Sequence, residues 1–216
     1  MLTERAIQDI LMVVVPGKIA DFGTNERRIA SLASKMPTSE FVGVSGKILS
    51  NSFDSALLID CVSHVAPLGK EAVASLLDQA FHSLKSKGRV IICDGIKPEC
   101  KQVSVTVRTE QARRRFEEFT QRFTRKVVYS EQDRMLQLDQ VDLMEFLVKT
   151  RKRKWEEKLE PSMLHSLEDF DHLLGAAGFV KVSVAPRCPS KRIIPHGITY
   201  DEEFPHTYGM LVYEKP

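Results

Sequence analysis

Apolar positions recur along this chain with two alternating periods, and the exchanges between them outline its architecture. Leu2, Ala6, Ile10 and Val13 lie at helical spacing, and Pro16-Gly17 ends that helix. Lys18 to Phe22 is a short apolar strand running into Gly23. Ile29, Leu32, Ala33 and Met36 mark a second helix closed by Pro37, and Phe41 to Val44 a second strand. Residues 45 to 54 are polar and loop-like. Ala56 to Ile59 predicts a third strand. Val73, Leu76, Leu77, Ala80, Phe81 and Leu84 stripe the next helix, and Lys87-Gly88 turns the chain into the strand Arg89 to Cys93.

From residue 99 to 162 the pattern changes. Glu110 to Arg125 reads as a helix with Phe116, Phe119 and Phe123 on one side, which suits core packing. Val141, Met144, Phe146, Leu147 and Trp155 mark another helix, charged toward its end. This predicts a helical insertion, a lid or partner surface, in an α/β domain made of residues 1–98 and 163–216. Ser166 is placed to cap a helix bearing Leu167, Phe170, Leu173 and Leu174, with Gly178 past its end. Phe179 to Val184 alternates as a strand, Pro186 to Thr207 is a long loop, and Tyr208 to Tyr213 forms a last strand.

Strands alternating with helices at this spacing predict a mostly parallel sheet with helices on both faces. Ligands of such sheets bind beyond the carboxyl ends of the strands. Those ends are Asp21-Phe22-Gly23, Val44-Ser45, Asp60-Cys61 and Asp94-Gly95, and three of the four carry a carboxylate.

Composition narrows the picture only slightly. With 216 residues, 43% hydrophobic and 28% charged, the chain suits one domain with an insertion. A net charge of +2 is too small to imply nucleic acid or membrane, and no run approaches the roughly 18 apolar residues of a membrane span. Cys61, Cys93, Cys100 and Cys188 have neither metal-site nor disulfide spacing, so a cytoplasmic or other reducing compartment is expected. The basic run at Lys149, Arg151, Lys152, Arg153 and Lys154 suits RNA or an acidic partner. With Glu156, Glu157 and Glu160 following, it also suits a solvated, internally paired helix face.

Four stretches, taken in order, resemble class I S-adenosylmethionine-dependent methyltransferases. Lys18-Ile-Ala-Asp-Phe-Gly-Thr-Asn-Glu is similar to the first strand and glycine loop, and Ser55 to Val65 to the fourth strand with its trailing histidine. Leu84 to Asp94 resembles the Lys-Gly turn and fifth strand, and Leu167 to Val184 the last helix and sixth strand. The tail from Phe204 fits an antiparallel final strand. The resemblance implies a Rossmann-like α/β fold and S-adenosylmethionine as cofactor. It implies cofactor contacts at Asp21, Phe22, Gly23, Asn25, Ser45, Asp60 and Cys61, with His64 as catalytic base.

The chain departs from the family in three places. Asn25 and Arg27 stand where later glycines of the loop belong. Ser45 follows the second strand where the family has an acid for the ribose hydroxyls, and a serine replaces two charge-assisted acceptor positions with one weaker bond. Between Val44 and Phe53 there is no room for the usual helix and third strand.

Each candidate also has a plainer role. Asp21 suits a strand-end carboxylate that caps the next helix, Asp60 and Cys61 a solvated strand end, and His64 a structural or merely solvated histidine. His196, Tyr200 and His206, candidates for substrate binding, suit an ordered loop as well. Two functions stay open. One is a methyltransferase with an atypical pocket, acting on a small molecule, whose shell would also host another reaction catalysed by positioning. The other is an inactive methyltransferase-fold binding or assembly protein in an RNA-protein or multi-subunit complex.

Overall fold

The protein was analysed as a computed structural model, which describes residues 4–23, 26–44, 50–123, 128–130, 134–151, 165–187, 197–200 and 208–216. In chain order the elements are α1 (Glu4–Val13), β1 (Lys18–Asp21), α2 (Glu26–Ala33), β2 (Glu40–Gly43), β3 (Phe53–Ile59), α3 (Val62–Val65), a 3-10 turn (Ala66–Leu68), α4 (Lys70–Ser83) and β4 (Leu84–Gly95). There follow β5 (Gln102–Val107), α5 (Glu110–Phe123), β6 (Val128–Ser130), β7 (Met135–Asp139), α6 (Gln140–Arg151), α7 (Leu167–Ala176), β8 (Val180–Arg187), β9 (Ile198–Thr199) and β10 (Tyr208–Glu214). They form two compact units. The first is Met1–Gly95, Leu167–Pro186 and Tyr208–Pro216, the second Ile96–Ser166 and Arg187–Thr207.

The first unit holds a six-stranded sheet in the order β2-β1-β3-β4-β10-β8. β1 pairs in parallel with β2 and β3, and β3 with β4, while β10 runs antiparallel to β4. The runs Ala56–Ile59, Val90–Cys93 and Met210–Tyr213 are apolar and buried because both faces of the sheet are covered there. Successive side chains point to opposite faces, so neighbours join different cores. Ala56, Leu58, Val90 and Ile92 pack with Val73, Leu77 and Ala80 of α4 and with Phe170 and Leu174 of α7. Leu57, Ile59, Ile91 and Cys93 pack with Ile7 and Ile10 of α1 and with Leu32 of α2. Ser55, fully buried, fastens α1 to this sheet: its hydroxyl donates to Val15 O (3.1 Å) and accepts from Val15 N (2.9 Å).

The expected Lys87-Gly88 turn lies inside β4. The β3–β4 register shifts there, and Lys87 adopts a positive φ of 64°. β2 pairs with β1 alone and forms one edge of the sheet, so among the described residues no strand occupies the third place that the sequence leaves out.

The second unit contains the two expected helices, α5 and α6, and adds an antiparallel four-stranded sheet, β6-β7-β5-β9, to what was expected to be helical. Val103, Val105 and Val107 alternate inward from β5, as do Leu136 and Leu138 from β7. They close a core with Phe116, Phe119, Leu143, Phe146 and Leu147. Phe116 stacks on Phe146 with ring centroids 3.8 Å apart and planes 14° from parallel, and Phe119 meets Phe146 edge-on. Residues 187–207, read as part of the α/β domain, belong to this unit, because β9 pairs with β5.

Candidate functional site

Parallel strands that end together leave their last residues along one rim. In the first unit β1 ends on Asp21, β2 on Gly43, β3 on Ile59 just before Asp60, and β4 on Asp94-Gly95; antiparallel β10 begins there with Tyr208, paired with Gly95. The sequence therefore delivers three carboxylates and a phenol to one edge.

Asp21 is fully buried, and its Oδ1 accepts the N–H of Gly23 at 2.8 Å, which folds the chain sharply over the strand end. Its backbone carbonyl accepts the N–H of Val44 at 2.8 Å, and Leu57 O accepts that of Phe22 at 3.0 Å. The exits of β1 and β2 are thereby tied together. Phe22 is half-buried against the α4/α7 core.

Asp60 is exposed and left-handed, with φ of 55°, a conformation an aspartate tolerates better than most residues. Its N–H donates to Cys93 O at 2.8 Å, and its Oδ1 accepts the Tyr208 hydroxyl at 3.4 Å. Cys61 is buried, and its thiol donates to Ile59 O at 3.4 Å. His64 lies exposed on α3, and its backbone N–H donates to Cys61 O.

Two rim residues stand outside the set proposed from sequence. Asp94 is only 1% exposed; its Oδ2 accepts the N–H of Ser63 at 3.1 Å and its Oδ1 that of Gly95 at 2.7 Å. Burial pushes its carboxyl above the ordinary value, Asp60's charge adds to the rise, and the bonds from Ser63 and Gly95 offset it only in part. Burial also pushes the Tyr208 phenol far up, with Asp60, Cys93 and Asp94 adding to it, so Tyr208 keeps its proton and donates to Asp60. Asp94 was legible as a strand-end carboxylate, and Tyr208 as an aromatic at the start of the last strand.

The remaining expectations divide. Asn25, Ser45, His196 and His206 lie outside the described residues, as do most of the basic run from Lys149 to Lys154 and all its described-helix side chains. Tyr200 belongs to the second unit, 8% exposed in its core, where its hydroxyl accepts from Gln140 Nε2 at 3.1 Å. Among the described residues, no group of three His, Cys, Asp or Glu side chains is arranged to hold a metal ion, and no helix is long and apolar enough to cross a membrane.

No family model and no curated protein sequence matches the chain. Solved structures do. A candidate methyltransferase from Bacillus halodurans C-125 superposes with a TM-score of 0.53 at 11% identity, over 98% of each chain. The chain has the class I methyltransferase fold. The [4+2]-cyclase SpnF gives a TM-score of 0.51 at 12% identity, over 98% of this chain and 81% of its own. The pyocyanin biosynthetic protein PhzM gives 0.52 at 12% identity, over 98% of this chain and 54% of its own. Within the methyltransferase fold, the rim carrying Asp21, Asp60 and Asp94 lies at the carboxyl ends of the parallel strands, the general ligand position of open α/β sheets.

Proposed function

We propose that the chain binds S-adenosylmethionine on the rim of its first unit and methylates a small molecule. The observation that carries this reading is the buried Asp21 carboxylate, turned at the end of β1 and fixed by Gly23. The ligand carries an ammonium and a sulfonium, and the strand-end carboxylates of Asp21 and Asp60 form an acceptor set that fits such a cation. Asp21 would hold its amino-acid end, Phe22 and Gly23 the turn around it, and Asp60 a hydroxyl or ammonium group. When bound, the sulfonium supplies an electrophilic methyl group. The chain's own part is to hold both partners in line, since much of such a barrier yields to positioning. His64, exposed on α3, would take a proton from the acceptor molecule. His196 and His206 are the further acceptor contacts we propose, and the pocket is atypical because β2 is an edge strand and Asn25, Arg27 and Ser45 replace the family's residues.

Those same replacements favour a second reading, a methyltransferase-fold module that no longer binds the cofactor and acts by assembly, with RNA or protein on the 149–154 run. The likeness to SpnF keeps a positioning-catalysed reaction other than methylation within reach of this fold.

Isothermal titration with S-adenosylmethionine separates the readings. Asp21→Asn keeps an Oδ1 acceptor for Gly23 but removes the charge, so affinity should fall about tenfold or more. Met12→Ala, at a side chain 84% exposed on α1, should leave affinity unchanged. Wild-type protein that shows no heat of binding at millimolar ligand would overturn the methyltransferase reading.

A further inference from the structure

The short turn from Asp60 to Val65 carries Asp60, Cys61 and His64, three of the candidate contacts; Cys61 and Val62 anchor it in the core, while Asp60 and His64 are exposed. Cys61 occupies the position before α3 and makes no side-chain capping bond to it. α3 has four residues, too few to be stable alone. Asp60 sits in the left-handed region.

Side chains from two other strands add to this anchoring. From β4, the Asp94 carboxylate accepts two backbone donors, Ser63 N–H on Oδ2 and Gly95 N–H on Oδ1. It thus performs for α3 the capping that Cys61 leaves undone. From β10, the Tyr208 hydroxyl donates to Asp60 Oδ1. Asp94 is buried with a raised carboxyl, so its charge destabilises the fold slightly and is kept for what it holds rather than for stability.

We propose that Asp94 and Tyr208 are positioning residues: acting from β4 and β10, they clamp the Asp60–Val65 turn so that Asp60 and His64 face the ligand in one pose. The ligand arm of this proposal rests on the function argued above; the clamp itself does not.

The test uses the whole protein and the variants Asp94→Asn and Tyr208→Phe. Asparagine has one acceptor oxygen where aspartate has two, so either Ser63 or Gly95 loses its partner while the side-chain volume stays. Phenylalanine keeps the ring of Tyr208 and removes only the hydroxyl. Hydrogen exchange, measured without ligand, should speed up about tenfold or more at residues 61–65 in each variant, with the amides of β3 and those of β4 before Asp94 unchanged. Asp94→Asn should keep or raise the melting temperature, because a buried charge is gone. A residue that only stabilised the fold would lower the melting temperature and loosen exchange throughout. S-adenosylmethionine affinity should fall about tenfold in both variants, the effect of losing one hydrogen bond of roughly 1.4 kcal/mol. Unchanged exchange at 61–65 in both variants would overturn the clamp, as would faster exchange spread over the whole sheet. Wild-type protein that fails to bind would overturn the cofactor reading while the exchange result still decides the clamp.

Discussion

Replacing Gly17 with alanine should be among the most damaging single-methyl changes in this chain. Gly17 sits at φ of 126°, just before β1, and a Cβ there would lie 2.3 Å from Asp54 Oδ2 and 2.8 Å from its Cγ. Asp54 cannot yield cheaply. Its Oδ2 accepts Lys18 N–H at 2.8 Å and its Oδ1 the Lys85 ammonium at 2.8 Å. Burial alone would raise its carboxyl, yet these partners hold it below the ordinary value. The positive φ costs an L-residue about 1–2 kcal/mol. Displacing Asp54 forfeits a charge-assisted bond to a backbone donor, about 1.5–3 kcal/mol. The stiffer unfolded chain returns about 0.4–1 kcal/mol. The net loss is about 2–4 kcal/mol, or roughly 4–16 °C in melting temperature for a chain of this size. Urea unfolding followed by far-UV circular dichroism measures it. The double variant with Asp54→Ala should lose much less than the sum of the single losses, because the clash partner has been removed. A Gly17→Ala loss below about 0.5 kcal/mol, or strict additivity, would refute the reasoning.

Other consequences are open to the same methods. Lys215→Met removes an ammonium that donates to Phe81 O (3.0 Å), Leu84 O (2.8 Å) and Asn51 Oδ1 (2.9 Å) at the carboxyl end of α4, and should cost about 1–3 kcal/mol in urea unfolding. Phe116→Ala opens the stacked core of the second unit and should cost about 3–5 kcal/mol, read by loss of near-ultraviolet dichroism at lower denaturant. Asp94 is raised in the fold, so between the ordinary 3.8 and its native value the folded state binds more protons than the unfolded one. Stability of the wild type relative to Asp94→Asn should therefore fall as pH rises through that window, and a flat difference between pH 3 and 8, roughly the range to scan, would contradict it.

The sheet of the first unit was legible because each strand is flanked by a periodic helix stripe and punctuated by Pro, Gly or a polar stretch. Ile10 before Pro16 and Leu77 before Lys87-Gly88 are examples, and the parallel order follows from the alternation. The second unit's sheet has a sequence signal too, in the alternation of Val103, Val105 and Val107, but the stronger Phe116–Phe119 helix signal beside it makes the segment read as helical. β6 and β9, of three and two residues, are too short for any period to register. Rim positions were legible where a strand's end carries them, as at Asp21, the last residue of β1, and Asp60, just past β3. The Asp94–Ser63 bond was not, because it joins residues 31 positions apart through a backbone N–H that has no sequence signature. Closeness in sequence also misled: Tyr200 and Tyr208 lie in one loop-rich stretch, yet Tyr200 packs in the second unit and Tyr208 opens a strand of the first.

β10 enters the sheet between β4 and β8, and Arg89 meets Glu214 across 125 positions of sequence. Until that strand arrives, the newborn sheet has a gap beside its edge strand β8, and the apolar run Val90–Cys93 of β4 has no partner on that side. Closing so wide a loop is slow, and the second unit has ample time to collapse first. Anything that delays this closure, such as crowding at high expression or a weakened Met210–Val212 segment, should steer the chain toward intermolecular strand exchange and inclusion bodies rather than toward a merely less stable monomer.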